Sequence, residues 1–390
     1  MRIGIFGGSF DPVHCEHIRL AESAVKTLAL DKLIVMPVAS PPHKKGKELA
    51  PDRHRLELCK IAFACVPNAE VSDYEITKGG TSYTYLTCRH FREIYKEAEL
   101  FWLVGTDMLR DFPTWKNPED ILSNATLAVC ARDEKEGWAQ KELSGFTRRF
   151  GKEFVLIGYN GAPVSSTQVR VLAGAGMRLT PLVTEETEAY IRENKLYAIE
   201  NAEKALALEK PARVAHSLRV AFVAAKRAVS LGVSERKAIL ASLFHDCAKN
   251  LESGSPLLKG FVPPAKWGEI PREVTHQFAG AYLAEHAFGV TDGEVLDAIR
   301  FHTSGKAGMS ALGKLIFLAD MIEPNRSYEG VEKLRELFEK KNPALPKEAG
   351  LDECLEEALR QTVAFLEGKG EWVYPLTKEA YEYYKNLRNE

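Results

Sequence analysis

Arg2-Ile3-Gly4-Ile5-Phe6-Gly7-Gly8-Ser9-Phe10-Asp11-Pro12-Val13-His14-Cys15-Glu16-His17 opens the chain, and its reading decides the first fold. Residues 2–6 form a short apolar run that predicts a buried strand, and residues 18–28 have the apolar spacing of a helix. A strand, a glycine turn and a helix in that order mark the place where a doubly wound parallel sheet opens its ligand crevice. Gly7 and Gly8 let the backbone approach a phosphate, and the next helix offers unpaired N–H groups to an anion. Alone, the Gly-Gly pair is only a tight loop. His14 and His17 add two imidazoles at the helix entry, both able to donate hydrogen bonds to phosphate oxygens.

Working outward, residues 32–38, 100–104, 126–131 and 154–157 also read as strands, and residues 52–64 and 83–96 as helices. This alternation predicts an α/β domain over residues 1–197. Beyond it strand signals vanish, and Ala-, Leu- and Glu-rich stretches predict an all-α domain over 205–390. Residues 198–211 lack Gly and Ser and read as a short helical or charged connector. A chain of 390 residues is long for one core, in keeping with two domains. A formal charge of −2 gives no basic surplus for nucleic acid. No run approaches the roughly 20 apolar residues that span a bilayer, and no secretory leader is visible. Seven scattered cysteines without a Cys-x-x-Cys pair read as free thiols in a reducing compartment. The expectation is a cytoplasmic protein with neither nucleic-acid nor membrane partners; oligomerisation stays open.

The helical half carries a second constellation. His216 shares a helical face with Val220 and Val223, and Arg213 lies one turn earlier on that side. His245-Asp246 follows the apolar Leu243-Phe244, and Asp320 ends the apolar run 315–319. A lone inward histidine is ordinarily a hydrogen-bonded core residue. A carboxylate carried by a buried helix is costly unless paired or metal-bound, and one divalent cation would satisfy all these groups at once.

The N-terminal motifs resemble the nucleotidyltransferase superfamily, whose hallmark is His-x-Gly-His, and within its Rossmann-like members the nicotinate-nucleotide adenylyltransferases. Ser40-Pro41-Pro42-His43-Lys44 resembles their substrate loop and Ser82-Tyr83-Thr84 their nicotinate-side segment. Gly105-Thr106-Asp107 with Trp115 resembles the central loop, and residues 164–170 (Val-Ser-Ser-Thr-Gln-Val-Arg) the second phosphate motif. The resemblance implies transfer of the adenylyl group of ATP to nicotinate mononucleotide, with Mg²⁺ arriving on ATP. It assigns phosphate contacts to Gly7, Gly8, Ser9, Phe10, His14, His17, Lys44, Ser166, Thr167 and Arg170, and a nicotinate wall to Trp115 with Thr84 nearby; Gly105 and Asp107 complete the nucleotide site. Two positions depart from the pattern: Glu16 replaces the motif's glycine, and Leu86 stands where aspartate is frequent.

The order His, His-Asp, distal Asp resembles the HD superfamily of metal-dependent phosphohydrolases. Residues 275–281, 299–305 and 317–326 are similar to the branch that cleaves diadenosine tetraphosphate symmetrically to two ADP. The resemblance implies metal ligation by His216, His245, Asp246 and Asp320, with iron as the metal and manganese an alternative. Asp246 is also the implied catalytic carboxylate, and Arg213, His276, His302, Thr303 and Arg326 would hold polyphosphate. A second ion on His276 and His302 is open, whereas His286 reads as an ordinary histidine. Residues 372–377 are expected to close over the adenosine. Other readings keep the two folds with different substrates, such as phosphopantetheine or another nucleotide, or make one domain a non-catalytic nucleotide sensor.

Overall fold

The computed structural model describes residues 1–40, 48–132, 135–340 and 349–387. They divide into two compact units, one containing Leu49–Arg170 and Arg178–Leu196 with the N-terminal strands, the other Val171–Met177 and the chain from Tyr197 onward.

The first unit is built on six strands: β1 (Arg2–Gly8), β2 (Lys32–Pro37), β3 (Ala69–Val71), β4 (Glu99–Gly105), β5 (Thr126–Arg132) and β6 (Val155–Tyr159). All pair in parallel in the order β3-β2-β1-β4-β5-β6. This is the Rossmann-like α/β arrangement. The chain leaves β1 toward one edge of the sheet and returns to build β4 on its other side, so the switch point lies between β1 and β4. Their C-terminal ends carry Gly7-Gly8 and Gly105. The central strands are apolar on both faces because helices cover both: Ile3, Ile5, Leu33, Val35, Leu127 and Val129 are fully buried. β3 has no counterpart among the strands read from sequence. It is three residues long, lies at the sheet edge and has no buried residue, so no apolar run announces it.

The second unit contains only helices and turns among its described residues. Its main helices are Pro211–Ala228, Glu235–Phe244, Arg272–His286, Gly293–Arg300, Ala311–Ile322, Val331–Glu339, Ala349–Gly368 and Pro375–Leu387. Side-chain oxygens of Ser234, Asp292 and Ser310 accept hydrogen bonds from first-turn N–H groups and so cap three of them. Ala311–Ile322 is apolar nearly all round and lies in the core. Asp320 near its end is therefore a carboxylate carried by the most buried helix. No described helix is long and apolar enough to cross a membrane.

Ile5 lies at the centre of the sheet, two residues before the glycine turn. Replacement by Ala removes buried methyl groups from the layer packed on one face of the sheet and is expected to cost about 2–5 kcal/mol, read as a lower denaturant midpoint. A change below about 0.5 kcal/mol, the level of an exposed position, would contradict this packing.

Candidate active sites

In the first unit, the loop after β1 is shaped by aromatic packing. Phe10 is buried at φ 43°, an uncommon conformation for a bulky residue. It is held edge-on against Phe6, Phe63 and His17 at 5.3, 5.7 and 5.1 Å. A side chain at position 8 would meet the Phe10 ring at 2.9 Å, which explains Gly8. Phe10 thus forms the loop's foundation. Arg55 donates to the Ser9 carbonyl at 2.8 Å and fixes the same turn from the helix Asp52–Phe63.

His14 caps the helix Cys15–Thr27, and its backbone N–H donates to Nδ1 of His17 at 3.1 Å. That bond decides a tautomer. A nitrogen accepting a hydrogen bond carries no proton, so His17 is neutral with its N–H at Nε2. The two rings stack at 3.7 Å. Burial, with a smaller contribution from the Arg170 charge, pushes His14 down to about 4.

The second phosphate motif is laced onto the first. Ser166 Oγ donates to the Pro12 carbonyl at 2.9 Å, and Arg170 donates to the Asp11 carbonyl and to Thr167 Oγ1. Arg170 is buried, and Asp11 Oδ2 lies 3.7 Å from its guanidinium. Glu16 turns inward: it is buried, pairs with Arg19 at 2.5 Å and packs on Gly161, where any side chain would collide with it. Two local residues, one cationic and one without a side chain, accommodate this departure from the motif.

The other predicted residues occupy separate stations. Gly105 and Asp107 sit at the end of β4, and a Cβ at 105 would meet the Asp107 carboxylate at 2.7 Å. Thr84 begins the helix Thr84–Ile94 just after Thr81 bridges to Ser40 beyond β2. Trp115 is half-buried, edge-on to Phe112 at 5.5 Å. Lys44 lies outside the described residues.

In the second unit, six side chains converge. Asp246 Oδ1 lies 3.1 Å from His276 Nε2 and 3.5 Å from His302 Nε2; its Oδ2 lies 3.5 Å from His245 Nε2 and 2.9 Å from Arg213. His216 Nε2 lies 2.9 Å from Asp320 Oδ1, which Arg326 also contacts. Three overlapping groups, His216/His245/Asp246, His245/His302/Asp320 and Asp246/His276/His302, each bring donor atoms within 4.8 Å of one another. Thr303 Oγ1 lies 3.2 Å from His276 Nε2. His286 is exposed and bonded to the Tyr282 carbonyl, away from the cluster.

The far ring nitrogens explain the orientation. His245 Nδ1 donates to the Ser242 carbonyl at 2.6 Å and His302 Nδ1 to the Ile299 carbonyl at 2.8 Å; both carbonyls belong to last turns, which leave acceptors unpaired. His216 Nδ1 donates to Glu323 at 3.2 Å. The Nε2 of His245 and of His302 is thereby left as a lone pair facing carboxylate oxygen, and so is that of His216 when its Nδ1 carries the proton. His216 Nε2, His245 Nε2 and Asp246 Oδ1 are buried without a hydrogen-bond partner among the described residues. Burial pushes His245 and His276 down to about 4, and Asp320 and Asp246 are held below the usual carboxylate range, where neighbouring imidazoles outweigh burial. Lone pairs facing anions out of water repel unless a cation lies between them, so this donor set fits a divalent metal.

Four contributors escaped the sequence reading. Lys249, one turn after Asp246, lies 3.1 Å from His276 Nε2, and burial lowers its pKa. Glu323, one turn after Asp320, supports His216. Gln277 is fully buried; its Oε1 accepts from both the Thr303 and Ser304 N–H groups at 3.0 Å and fixes the turn behind His302. Glu209, doubly bonded by Ser217, is pushed up to about 8 by burial. One-turn spacing from a ligand was a usable signal for the first two, and adjacency to His276 was one for Gln277. Nothing local marks Glu209.

Residues 5–172 match the cytidylyltransferase-like family and residues 213–325 the HD domain family. The molecule is thus a nucleotidyltransferase-type domain followed by an HD-type domain. A Mycoplasma genitalium protein described as a "probable nicotinate-nucleotide adenylyltransferase/Ap4A hydrolase" is 30% identical over 84% of this chain and 89% of its own length. A Thermotoga maritima protein described as a "probable nicotinate-nucleotide adenylyltransferase" is 41% identical over 47% of this chain and 88% of its own. A solved Clostridium acetobutylicum structure, described as a "predicted HD superfamily hydrolase involved in NAD metabolism", is 30% identical, covers 47% of this chain and 97% of its own, and has a TM-score of 0.42. This chain belongs to the family of fused nicotinate-nucleotide adenylyltransferases and Ap4A hydrolases.

The lowered histidines have a pH signature. Unfolded, His14, His245 and His276 take up protons near their ordinary 6.5; folded, they do so only near 4. Protons bind the unfolded chain first, so metal-free protein should keep full stability above about pH 6.5 and lose it progressively down to about pH 4. Denaturant midpoints at pH 7.5, 6 and 4.5 should fall in that order. Equal midpoints would contradict buried, neutral imidazoles.

Proposed function

We propose that each domain catalyses its own reaction: adenylyl transfer from ATP to nicotinate mononucleotide in the first, and symmetrical hydrolysis of diadenosine tetraphosphate (Ap4A) to two ADP in the second. The observation that carries the pair is the fused family membership over most of the chain, joined to a phosphate crevice in one unit and a buried His/Asp cluster in the other.

In the first site, the 5′-phosphate oxygen of the mononucleotide attacks the α-phosphorus of ATP. A new P–O bond forms and the bond to pyrophosphate breaks, with no covalent enzyme intermediate. Catalysis is alignment and charge compensation. His17 donates through Nε2–H without net charge, because its Nδ1 is already occupied, and His14 stacks against it. Ser166 and Thr167 present the start of the helix Ser166–Gly174 to phosphate. Arg170 works through its charge and by fixing Asp11, with Lys44 and Mg²⁺ arriving on ATP as further cations. Gly7, Gly8 and Ser9 line the phosphates; Gly105 and Asp107 border the adenosine; Trp115 and Thr84 border the nicotinate.

In the second site, His216, His245, Asp246 and Asp320 would hold a divalent ion, with His276 and His302 placed for polyphosphate or a second ion. When bound, the ion supplies Lewis-acid polarisation of a phosphoryl oxygen and activates water. The family resemblance points to iron as that ion, and the mixed His/carboxylate set suits manganese as well. Arg213, Thr303 and Arg326 offer cationic and hydroxyl contacts to the phosphate chain, and Lys249 joins them. Hydrolysis at a central phosphorus adds water across one P–O–P bond and yields two ADP. Seven free cysteines suit a cytoplasmic setting for both reactions.

Single substitutions should separate the activities. Asp246→Ala should abolish metal retention and ADP formation while adenylyl transfer continues near the parental rate. His17→Ala should lower adenylyl transfer about 10²–10³-fold, the scale of a lost charge-stabilising donor, and leave Ap4A hydrolysis intact. Pyrophosphate release, ADP release and elemental analysis measure these outcomes. Equal loss of both activities in a folded variant would refute two independent sites, and absence of both products from the parent would refute the assignment.

A further inference from the structure

His216 and Asp320 come from different helices, yet both are gripped from one short turn. Glu323 Oε1 accepts from His216 Nδ1 at 3.2 Å, and Glu323 Oε2 accepts from Arg219 Nε at 2.5 Å and from the Asn325 N–H at 2.9 Å. Three residues on, Arg326 donates through Nε to the Asp320 carbonyl at 2.8 Å and through Nη2 to its carboxylate. The turn has its own brace. Arg335, on the helix Val331–Glu339, donates to the carbonyls of Ile322, Glu323 and Arg326 at 3.1, 3.0 and 2.9 Å. Glu323 is buried, so the burial of its charge must serve some partner. Three donors meet it, and one of them is an imidazole whose other nitrogen points into the cluster.

We propose that Glu323 is the positioning residue of the HD-type centre: it fixes His216 as the Nδ1–H tautomer with Nε2 free to ligate, and Arg335 holds the turn that delivers Glu323 and Arg326 together. The inference rests on the metal-dependent reading of this site. Without a carboxylate at Nδ1, the His216 proton would no longer be confined to that nitrogen, and every molecule protonated at Nε2 would have to release that proton before binding an ion.

The test uses the full-length chain and Mn²⁺ as the probe. Mn²⁺ affinity is measured by chelator competition, and the His216 tautomer in the metal-free protein by ¹⁵N–¹H correlation, assigned with His216→Gln. Glu323→Ala should weaken Mn²⁺ binding 10–100-fold and move His216 away from a pure Nδ1–H tautomer. Glu323→Gln, whose amide oxygen still accepts, should largely restore both. Arg335→Met, which touches neither ion nor substrate, should weaken binding by a smaller factor. Parental Mn²⁺ affinity in Glu323→Ala would overturn the proposal, as would weakened affinity with an unchanged tautomer, which would reduce Glu323 to a remote charge. If Glu323→Ala does not fold, an Nε2–H tautomer of His216 in the parental chain overturns it equally. A parental chain that binds no Mn²⁺, Fe²⁺ or other divalent ion would instead sink the metal-dependent reading itself.

Discussion

A carboxylate sealed from water must find positive charge, and Asp246 is 2% exposed. Arg213 meets one of its oxygens, but the other faces imidazole nitrogens and has no hydrogen-bond partner among the described residues. Isolated burial of an ionised group costs more than a folded domain can spare. The helices around it are therefore placed by what that oxygen requires as well as by apolar packing. His216, His276, His302 and Asp320 each come from or just beyond a different helix, and their convergence at one buried point is consistent with a divalent metal site.

Much of this was legible in the sequence because chemistry and position coincided. Gly7-Gly8 sits where the first strand ends, and His245-Asp246 and Asp320 sit where apolar helical runs end, so strand and helix periodicity supplied their placement. β3 escaped because an edge strand of three residues, none of them buried, carries no apolar signature. Glu323 and Gln277 escaped for another reason. Spacing placed each beside a ligand, but their importance lies in bonds to groups 107 and 26 residues away, respectively, which that spacing does not name. Glu16 shows the same limit from the opposite side. As a motif residue it reads as a negative charge thrust at a nucleotide, but Arg19 and the absence of a side chain at Gly161 give it somewhere else to go.

The division of labour between ligating and supporting residues also accounts for where two arginines are placed. Arg170 and Arg335 spend their donors on backbone carbonyls of loops that carry functional groups, which suits a planar, permanently charged fork with five N–H donors. Lysine gathers its donors around one point charge and lacks the planar fork that spans the three carbonyls Arg335 meets. Lys249 occupies a different environment, beside imidazole and carboxylate, where burial lowers its pKa. A single mobile ammonium suits a site that must accept and release a polyphosphate, whereas a fork suits a turn that must not move.

The two centres use histidine in opposite tautomers, and the cause in each is the end of a helix. At the start of Cys15–Thr27 the backbone offers an unpaired N–H. His17 accepts it at Nδ1, keeps its proton at Nε2 and can donate to phosphate. At the ends of Glu235–Phe244 and Gly293–Arg300 the backbone offers unpaired carbonyls. His245 and His302 donate to these from Nδ1 and keep a lone pair at Nε2 for a cation. The polarity of the helix terminus thus selects which imidazole nitrogen carries the proton. His216 sits in mid-helix, where neither terminus is available. A helix interior has already spent its backbone groups on its own ladder, so the acceptor that completes the set must be a side chain, and Glu323 is that side chain.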